Sequence, residues 1–176
     1  MKTLLIVVDM QNDFVDGALG TAQAQAIVEP VAEKIKNHRG PVVFTRDTHR
    51  ANYLETQEGQ KLPVVHCVKG TTGWKLTPRI NLLVDGREIF DKNTFGSVEL
   101  THYVSSLFQA GEIEAVELIG LCTDICVISN ARLLKAAEPE MIVSVDGRCC
   151  AGVTPQSHKN ALEAMKMCQI EITGVE

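Results

Sequence analysis

The stretch Gly120-Leu121-Cys122-Thr123-Asp124-Ile125-Cys126 joins an apolar run, residues 116–121, to a helical pattern that continues to about residue 137. A short apolar run next to a glycine is typical of a buried strand, and the pattern that follows predicts a helix. Cys126 would then lie in the first helical turn, where unpaired backbone N–H groups and the helix dipole favour a thiolate. The alternative is that Cys126 is a small buried apolar residue, as many free cysteines are.

Similar apolar runs occur on both sides of this stretch, at residues 3–8, 41–45, 87–90, 141–145 and 169–173. Helical patterns alternate with most of them, at residues 24–36, 98–109, 125–137 and 155–167. This alternation predicts an α/β fold, a three-layer α-β-α sandwich around a Rossmann-like, mostly parallel six-stranded sheet. We expect residues 1–176 to form a single domain, with one long polar connection at residues 46–85.

The composition favours a small-molecule ligand over a macromolecular one. The formal net charge is −5, and 45% hydrophobic against 22% charged residues is an ordinary globular balance. Because the chain has no run of Lys or Arg, we expect no nucleic-acid or anionic-membrane partner.

The cysteines and the N-terminal segment predict a cytoplasmic protein. The apolar run after Lys2 ends at Asp9, which is too short for a signal sequence, and no stretch approaches the roughly 18 apolar residues of a membrane span. We therefore expect the six cysteines to be free thiols in a reducing compartment.

Polar side chains follow successive predicted strands. Asp9 follows the first, Arg46 and Asp47 the second, and Lys92 the third, while the Cys126 segment follows the fourth. In open parallel sheets, ligands bind beyond the carboxyl ends of the strands, so a carboxylate, an ammonium group and a thiol should share one edge. Taken singly, Asp9 could cap a turn and Lys92 could be a solvated lysine, but together they favour a catalytic site.

The charge of a lysine near the thiol predicts its activation. An ammonium group about 4 Å from Cys126 would favour the thiolate by up to about 4 kcal/mol, which predicts a lowered pKa for this cysteine. In this interpretation the Asp9 carboxylate accepts the proton of the thiol.

Three ordered motifs resemble the isochorismatase-like cysteine hydrolases: Val8-Asp9-Met10-Gln11-Asn12-Asp13-Phe14, Lys92 with Phe95-Gly96-Ser97, and the stretch from Gly120 to Cys126. The resemblance spans the chain and implies that Asp9, Lys92 and Cys126 form a catalytic triad. It also implies a cis peptide bond between Leu121 and Cys122, which directs the N–H groups of Cys122 and Cys126 at one oxyanion.

The long connection carries a set of candidate metal ligands. Asp47, His49 and His66 offer a carboxylate and two imidazoles, which suit Zn, Fe or Mn. Their order resembles the nicotinamidase branch of the family, in which a further His or Glu completes the site. Glu58 is the preferred fourth ligand here, and Glu55 is the alternative. We expect a divalent ion, zinc first, that orients the substrate.

The resemblance implies an amidohydrolase of NAD salvage that converts nicotinamide to nicotinate and ammonia through a thioester. Phe14 and Trp74 are candidates to stack on the flat substrate, although core packing is the alternative for each. We expect a homo-oligomer, as family members often form closed assemblies. The alternative activities are hydrolysis of another small amide or ureide or an isochorismatase-type reaction, and a non-catalytic binding domain is the third reading.

Overall fold

The computed structural model describes residues 2–175, which form alternating strands and helices. The strands are β1 Thr3–Val8, β2 Val42–Asp47, β3 Ile89–Lys92, β4 Ala115–Leu121, β5 Ile142–Ala151 and β6 Glu171–Thr173. The helices are α1 Asn12–Val15, α2 Ala22–Ala26, α3 Val28–Asn37, α4 Gln57–Lys61, α5 Pro78–Asn81, α6 Val98–Gln109, α7 Ile128–Ala137 and α8 Pro155–Met167. A 3₁₀ turn, Tyr53–Glu55, precedes α4, and a π-helical segment, Thr123–Val127, precedes α7.

The strands form one six-stranded sheet in the order β3-β2-β1-β4-β5-β6, and every pair of neighbours is parallel. This order confirms the predicted Rossmann-like sheet. The chain reverses its direction of winding between β1 and β4, which opens a crevice at their carboxyl ends. Asp9 and Cys126 follow these two strands, so the topology brings them to the crevice.

Alternate side chains of β1 supply both faces of the sheet. Leu4, Ile6 and Val8 pack into the core beneath α6, α7 and α8, whereas Leu5 and Val7 pack into the core beneath α2 and α3. All of these side chains are fully buried, which explains why β1 reads as a continuous apolar run. The two cores confirm the three-layer arrangement. Among residues 2–175, no helix combines the length and the apolar character that crossing a membrane requires.

Several predicted boundaries differ from the structure: one predicted helix is divided, and β2, β3 and β5 end later than predicted. The helical pattern at residues 24–36 is divided at Ile27 into α2 and α3. Pro30 has no N–H group with which to bond the carbonyl of Ala26, so the helix restarts. Strands β2 and β3 also run further than predicted, which puts Asp47 and Lys92 inside the sheet as register partners.

Gly120 allows β4 to lie close to β1 beside the crevice. Its φ is +114°, and a Cβ atom there would clash with the carbonyl oxygen of Val8 and lie 2.9 Å from the Val8 nitrogen. Gly111 is also in a left-handed conformation, at φ +71°, but a Cβ atom there would meet no atom within 4 Å. Unlike Gly111, Gly120 therefore combines a glycine conformation with a steric requirement of the backbone beside it.

We predict that Gly120→Ala lowers the free energy of unfolding by about 3 kcal/mol or more, because it adds a backbone clash to an unfavourable φ. Gly111→Ala, the matched control, should cost about 1 kcal/mol from its conformation alone. Urea denaturation of both variants measures the difference. Equal losses would show that the approach of β4 to β1 does not require glycine.

Candidate active site

Cys126 lies in the π-helical segment that connects β4 to α7. The carbonyl of Cys122 accepts hydrogen bonds from the N–H groups of Ile125, at 3.1 Å, and Val127, at 3.0 Å, so the chain turns tightly before the cysteine. The peptide bond between Leu121 and Cys122 is cis, as the family resemblance implies. Cys126 is 5% exposed, and its limited surface lines the crevice.

The structure brings Asp9, Lys92 and Cys126 together. Lys92 Nζ lies 2.6 Å from Asp9 Oδ2 and donates a hydrogen bond to Cys126 Sγ at 3.4 Å. Each side chain comes from a different part of the sheet: Asp9 follows β1, Lys92 ends β3, and Cys126 follows β4. Since the Asp9 and Lys92 side chains are at most 1% exposed, bulk water screens this ion pair weakly.

Asp9 is held by β2 as well as by Lys92. Thr45 Oγ1 donates to Asp9 Oδ1 at 2.6 Å and accepts from the Asp9 N–H at 3.2 Å. Asp9 has a φ of +47°, in a left-handed region that Asp adopts more readily than most residues. Both the backbone and the carboxylate of Asp9 are therefore fixed.

The expected lowering of the Cys126 pKa is wrong. Burial raises the pKa of the Cys126 thiol, the Asp9 carboxylate raises it further, and Lys92 only partly offsets both, so the pKa stands well above its usual value. The positive charge of Lys92 is already compensated by Asp9. Burial also raises the pKa of Asp9 above the usual carboxyl value, although Lys92 opposes this shift. The site therefore pairs a thiol of raised pKa with a carboxyl group of raised pKa.

A second cluster lies beside this triad, made of Asp47, His49 and His66. Each residue offers one ligand atom, and these atoms all lie within 4.8 Å of one another. Asp47 ends β2, where the register pairs it with Lys92, and its Oδ1 lies 3.9 Å from Lys92 Nζ. The two imidazoles come from the long connection. The His49 N–H donates a hydrogen bond to the carbonyl of Cys67, the residue after His66, at 2.9 Å, which holds the two segments together.

The imidazoles are oriented as metal ligands are. His66 Nδ1 donates to the Val64 carbonyl at 2.8 Å, which leaves Nε2 facing Asp47 Oδ2 at 3.5 Å. His49 Nε2 lies 2.9 Å from the same oxygen, yet it is a buried atom without a well-aligned hydrogen-bond partner among residues 2–175. Although burial raises the pKa of Asp47, the two imidazoles and Lys92 outweigh it and hold the pKa well below its usual range. An anionic carboxylate between two inward-facing imidazoles fits a divalent metal ion.

Glu58 is closer to this cluster than Glu55. Glu58 Oε1 lies 3.7 Å from His49 Nε2 and 3.9 Å from His66 Nε2. Glu55 is exposed, and its carboxylate accepts from Asn52 at 3.4 Å. The geometry therefore favours Glu58 as a fourth ligand.

A cavity of about 430 Å³ connects the triad to this cluster. Its walls include Phe14, Leu19, Asp47, Glu58, Leu62, His66, Phe95, Cys122, Ile125 and Cys126. A mostly apolar wall with a few convergent polar groups is typical of a site for a small molecule. Phe14 lies at this wall, with its ring centroid 5.5 Å from that of His66.

Trp74 does not line this cavity. The guanidinium carbon of Arg46 lies 3.8 Å from the centroid of the Trp74 ring, and Trp74 Nε1 donates to Thr48 Oγ1 at 2.8 Å. We therefore assign Trp74 a structural role in the long connection.

Two supporting residues were not singled out from the sequence. The Gln11 amide accepts from the Asp47 N–H at 2.7 Å and donates to the Asp47 carbonyl at 2.8 Å, which fixes the end of β2. The buried ring of Tyr53 packs against His49 and His66, with centroid distances of 4.6 and 4.9 Å. Gln11 stands in the quoted Asp9 motif, which was the available signal, whereas nothing in the sequence distinguished Tyr53.

Comparison with known proteins identifies the family. A family model described as the Isochorismatase domain matches residues 3–176. The chain belongs to the isochorismatase family. A nicotinamidase/pyrazinamidase of Mycobacterium tuberculosis is 29% identical over 184 residues, with 96% of each chain covered. The uncharacterized isochorismatase family protein PncA of Bacillus subtilis is 33% identical over 178 residues, which cover 92% of this chain and 93% of that protein.

A solved structure shares the fold of this isochorismatase-family chain. The pyrazinamidase of Pyrococcus horikoshii, crystallised in complex with zinc, has a TM-score of 0.80 and 28% sequence identity. The match covers 99% of this chain and all of that one. The relative and the donor set of Asp47, His49 and His66 together support a divalent ion in this chain.

We predict that Lys92→Met lowers the free energy of unfolding by about 3–5 kcal/mol, because it leaves the Asp9 carboxylate buried without a counter-ion. Lys36→Met is the matched control, since it removes an exposed ion pair with Glu33 and should cost less than about 0.5 kcal/mol. Chemical denaturation at neutral pH measures both. A loss for Lys92→Met no greater than that for the control would mean that the buried pair is not what holds Asp9.

Proposed function

We propose that this protein is a nicotinamidase, which hydrolyses the carboxamide of nicotinamide to nicotinate and ammonia with Cys126 as its nucleophile. One observation carries the proposal. Lys92 Nζ lies within 3.4 Å of Cys126 Sγ and 2.6 Å of Asp9 Oδ2, at a cavity that also contains the Asp47 and His66 side chains. The nicotinamidase/pyrazinamidase relative supports the choice of amide.

The first half of the reaction forms a thioester. Asp9 accepts the proton of the Cys126 thiol as the sulfur attacks the carboxamide carbon, and Lys92 stabilises the thiolate character that develops. The raised pKa of Asp9 suits this transfer, because it makes the carboxylate a stronger base toward the thiol proton. The N–H groups of Cys122 and Cys126 stabilise the negative oxygen of the tetrahedral intermediate.

The second half releases both products. Protonated Asp9 donates its proton to the leaving nitrogen, which departs as ammonia and leaves the acyl group on sulfur. Asp9, again a carboxylate, then accepts a proton from a water that attacks the thioester carbon. As the carbon–sulfur bond breaks, Asp9 returns this proton to the sulfur of Cys126. The acid that is released loses its own proton to solvent and becomes nicotinate, so one water is consumed for each amide bond broken.

The cluster beside the triad is proposed to bind the ion that positions the substrate. Asp47, His49, Glu58 and His66 would hold it, with zinc as the proposed ion and iron or manganese as alternatives. When bound, the ion would act as a Lewis acid toward the pyridine nitrogen of nicotinamide. Phe14 forms the apolar wall on which the flat ring of the substrate packs.

We predict that Cys126→Ala lowers kcat for ammonia release from nicotinamide by at least about 1,000-fold, because it removes the thiol that Lys92 contacts beside Asp9. Cys168→Ala is the matched control, since this thiol is half-buried and does not line the cavity, and it should retain wild-type activity. Release of ammonia at comparable rates by both variants would refute the mechanism. If wild type is active only on other small amides, the substrate assignment is wrong and the nucleophile stands.

We predict that Glu58→Gln weakens zinc binding by about 10- to 100-fold, because it removes a charged ligand. Glu55→Gln, three positions earlier, should leave the affinity unchanged. Competition with a chromophoric chelator measures both affinities. Weaker binding by Glu55→Gln alone would assign the ligand to Glu55 instead.

The homo-oligomeric state and the cytoplasmic location remain predictions that rest on the family resemblance and the composition. Light scattering coupled to size-exclusion chromatography tests the first, and a single-chain mass at micromolar concentration would contradict it.

A further inference from the structure

Asn130 is a completely buried polar residue one helical turn beyond the nucleophile. It has a 0% exposed side chain in a helix whose other buried residues include Ala131 and Leu134. Burying an amide costs free energy unless its donors and acceptor are all used. The partners of Asn130 therefore indicate what the side chain is for.

All the polar atoms of the Asn130 side chain are bonded, and their partners lie on two separate segments. Nδ2 donates to the carbonyl of Cys126 at 2.8 Å and to the carbonyl of Phe95 at 3.2 Å. Oδ1 accepts from the N–H of Ser97 at 2.9 Å. The amide thus joins the backbone of the nucleophile to the loop between Lys92 and α6.

This loop carries the other half of the site. It begins directly after Lys92, its residues Asn93, Thr94 and Phe95 line the cavity, and it ends at Ser97, whose Oγ accepts from the N–H of Leu100 at 3.1 Å to cap α6. The Asn130 bonds therefore fix the position of the Phe95 wall and the start of α6 together.

The loop and the helix are also held in direct contact. A Cβ atom on Gly96 would clash with Leu133 and lie 3.2 Å from the carbonyl oxygen of Ser129. Ser129 Oγ donates in turn to the Ile125 carbonyl at 2.6 Å, so side chains bond consecutive carbonyls where the π-helical segment becomes α7. Asn130 is the member of this pair that reaches across to the loop.

We infer that Asn130 is a positioning residue, which sets Cys126 at its reactive distance from Lys92 and from the cavity wall by bonding both segments at once. The inference rests on the proposed role of Cys126 as nucleophile, but it does not depend on which amide is the substrate. A shift of about 1 Å between reacting groups can cost about 100-fold in rate, so this bridge should affect kcat more than KM.

The test compares Asn130→Ala with Leu134→Val, which destabilises the same helix without removing any bond to the loop. At a temperature where both are folded, Asn130→Ala should lower kcat for nicotinamide by about 10- to 100-fold with KM changed by less than about 3-fold. Leu134→Val should keep both constants near wild type. Equal kcat values for the two variants would overturn the inference.

Alkylation of Cys126 by iodoacetamide, resolved by peptide mass spectrometry, tests the same inference without a substrate. Asn130→Ala should react more slowly than Leu134→Val, because a displaced Cys126 would lose part of the Lys92 contact that favours its thiolate. If Asn130→Ala does not fold, Asn130→Thr keeps a hydroxyl donor for the Cys126 carbonyl, loses both bonds to the loop, and should show the same slowing. If wild type does not hydrolyse nicotinamide but Asn130→Ala is still alkylated more slowly than Leu134→Val, the positioning role is supported and the proposed substrate is refuted. Unchanged alkylation would contradict the positioning role.

Discussion

The buried ion pair between Asp9 and Lys92 is the interaction on which the site depends. Asp9 follows β1 and Lys92 ends β3, the strands on either side of β2. Lys92 Nζ lies 2.6 Å from Asp9 Oδ2 and 3.4 Å from Cys126 Sγ. A charge buried at this depth is tolerated only with a partner, so the pair and the fold constrain one another. Burial raises the pKa of the Cys126 thiol, and the pair does not reverse this shift, because Asp9 raises the pKa further and Lys92 only partly offsets both. Asp9 compensates the charge of Lys92, and burial raises its own pKa, which suits its proposed role as acceptor of the Cys126 proton.

The sheet brings the chemistry together through register and topology. Pairing of β2 with β3 sets Asp47 opposite Lys92, so the metal-ligand cluster and the triad are neighbours rather than separate sites. The close approach of β4 to β1, which Gly120 permits, brings the segment containing Cys126 alongside Asp9. A substrate held in the cavity would therefore lie between the proposed metal ligands and the proposed nucleophile, Cys126.

Much of this arrangement could be predicted from the sequence, because it follows from rules that act locally or through topology. Apolar periodicity and alternation gave the layers and the helices Val98–Gln109 and Pro155–Met167 with correct bounds. The rule that ligands bind beyond the carboxyl ends of parallel strands correctly predicted that Asp9 and Cys126 lie at the same edge of the sheet. The features that the sequence did not predict depend on distances between segments that are far apart in the chain. The sign of the Cys126 pKa shift depends on the burial of the thiol and on the balance between Asp9 and Lys92. The bridge made by Asn130 spans more than 30 positions along the chain.

The central claim is that Asp9, Lys92 and Cys126 act as one reactive unit. A double-mutant cycle on kcat for nicotinamide hydrolysis, with Asp9→Asn, Lys92→Met and the double variant, tests it most directly. Residues that act as a unit are not additive, so the double variant should lose no more activity than the worse of the two single variants. Losses that multiply in the double variant would show that Asp9 and Lys92 act independently, and would contradict this account.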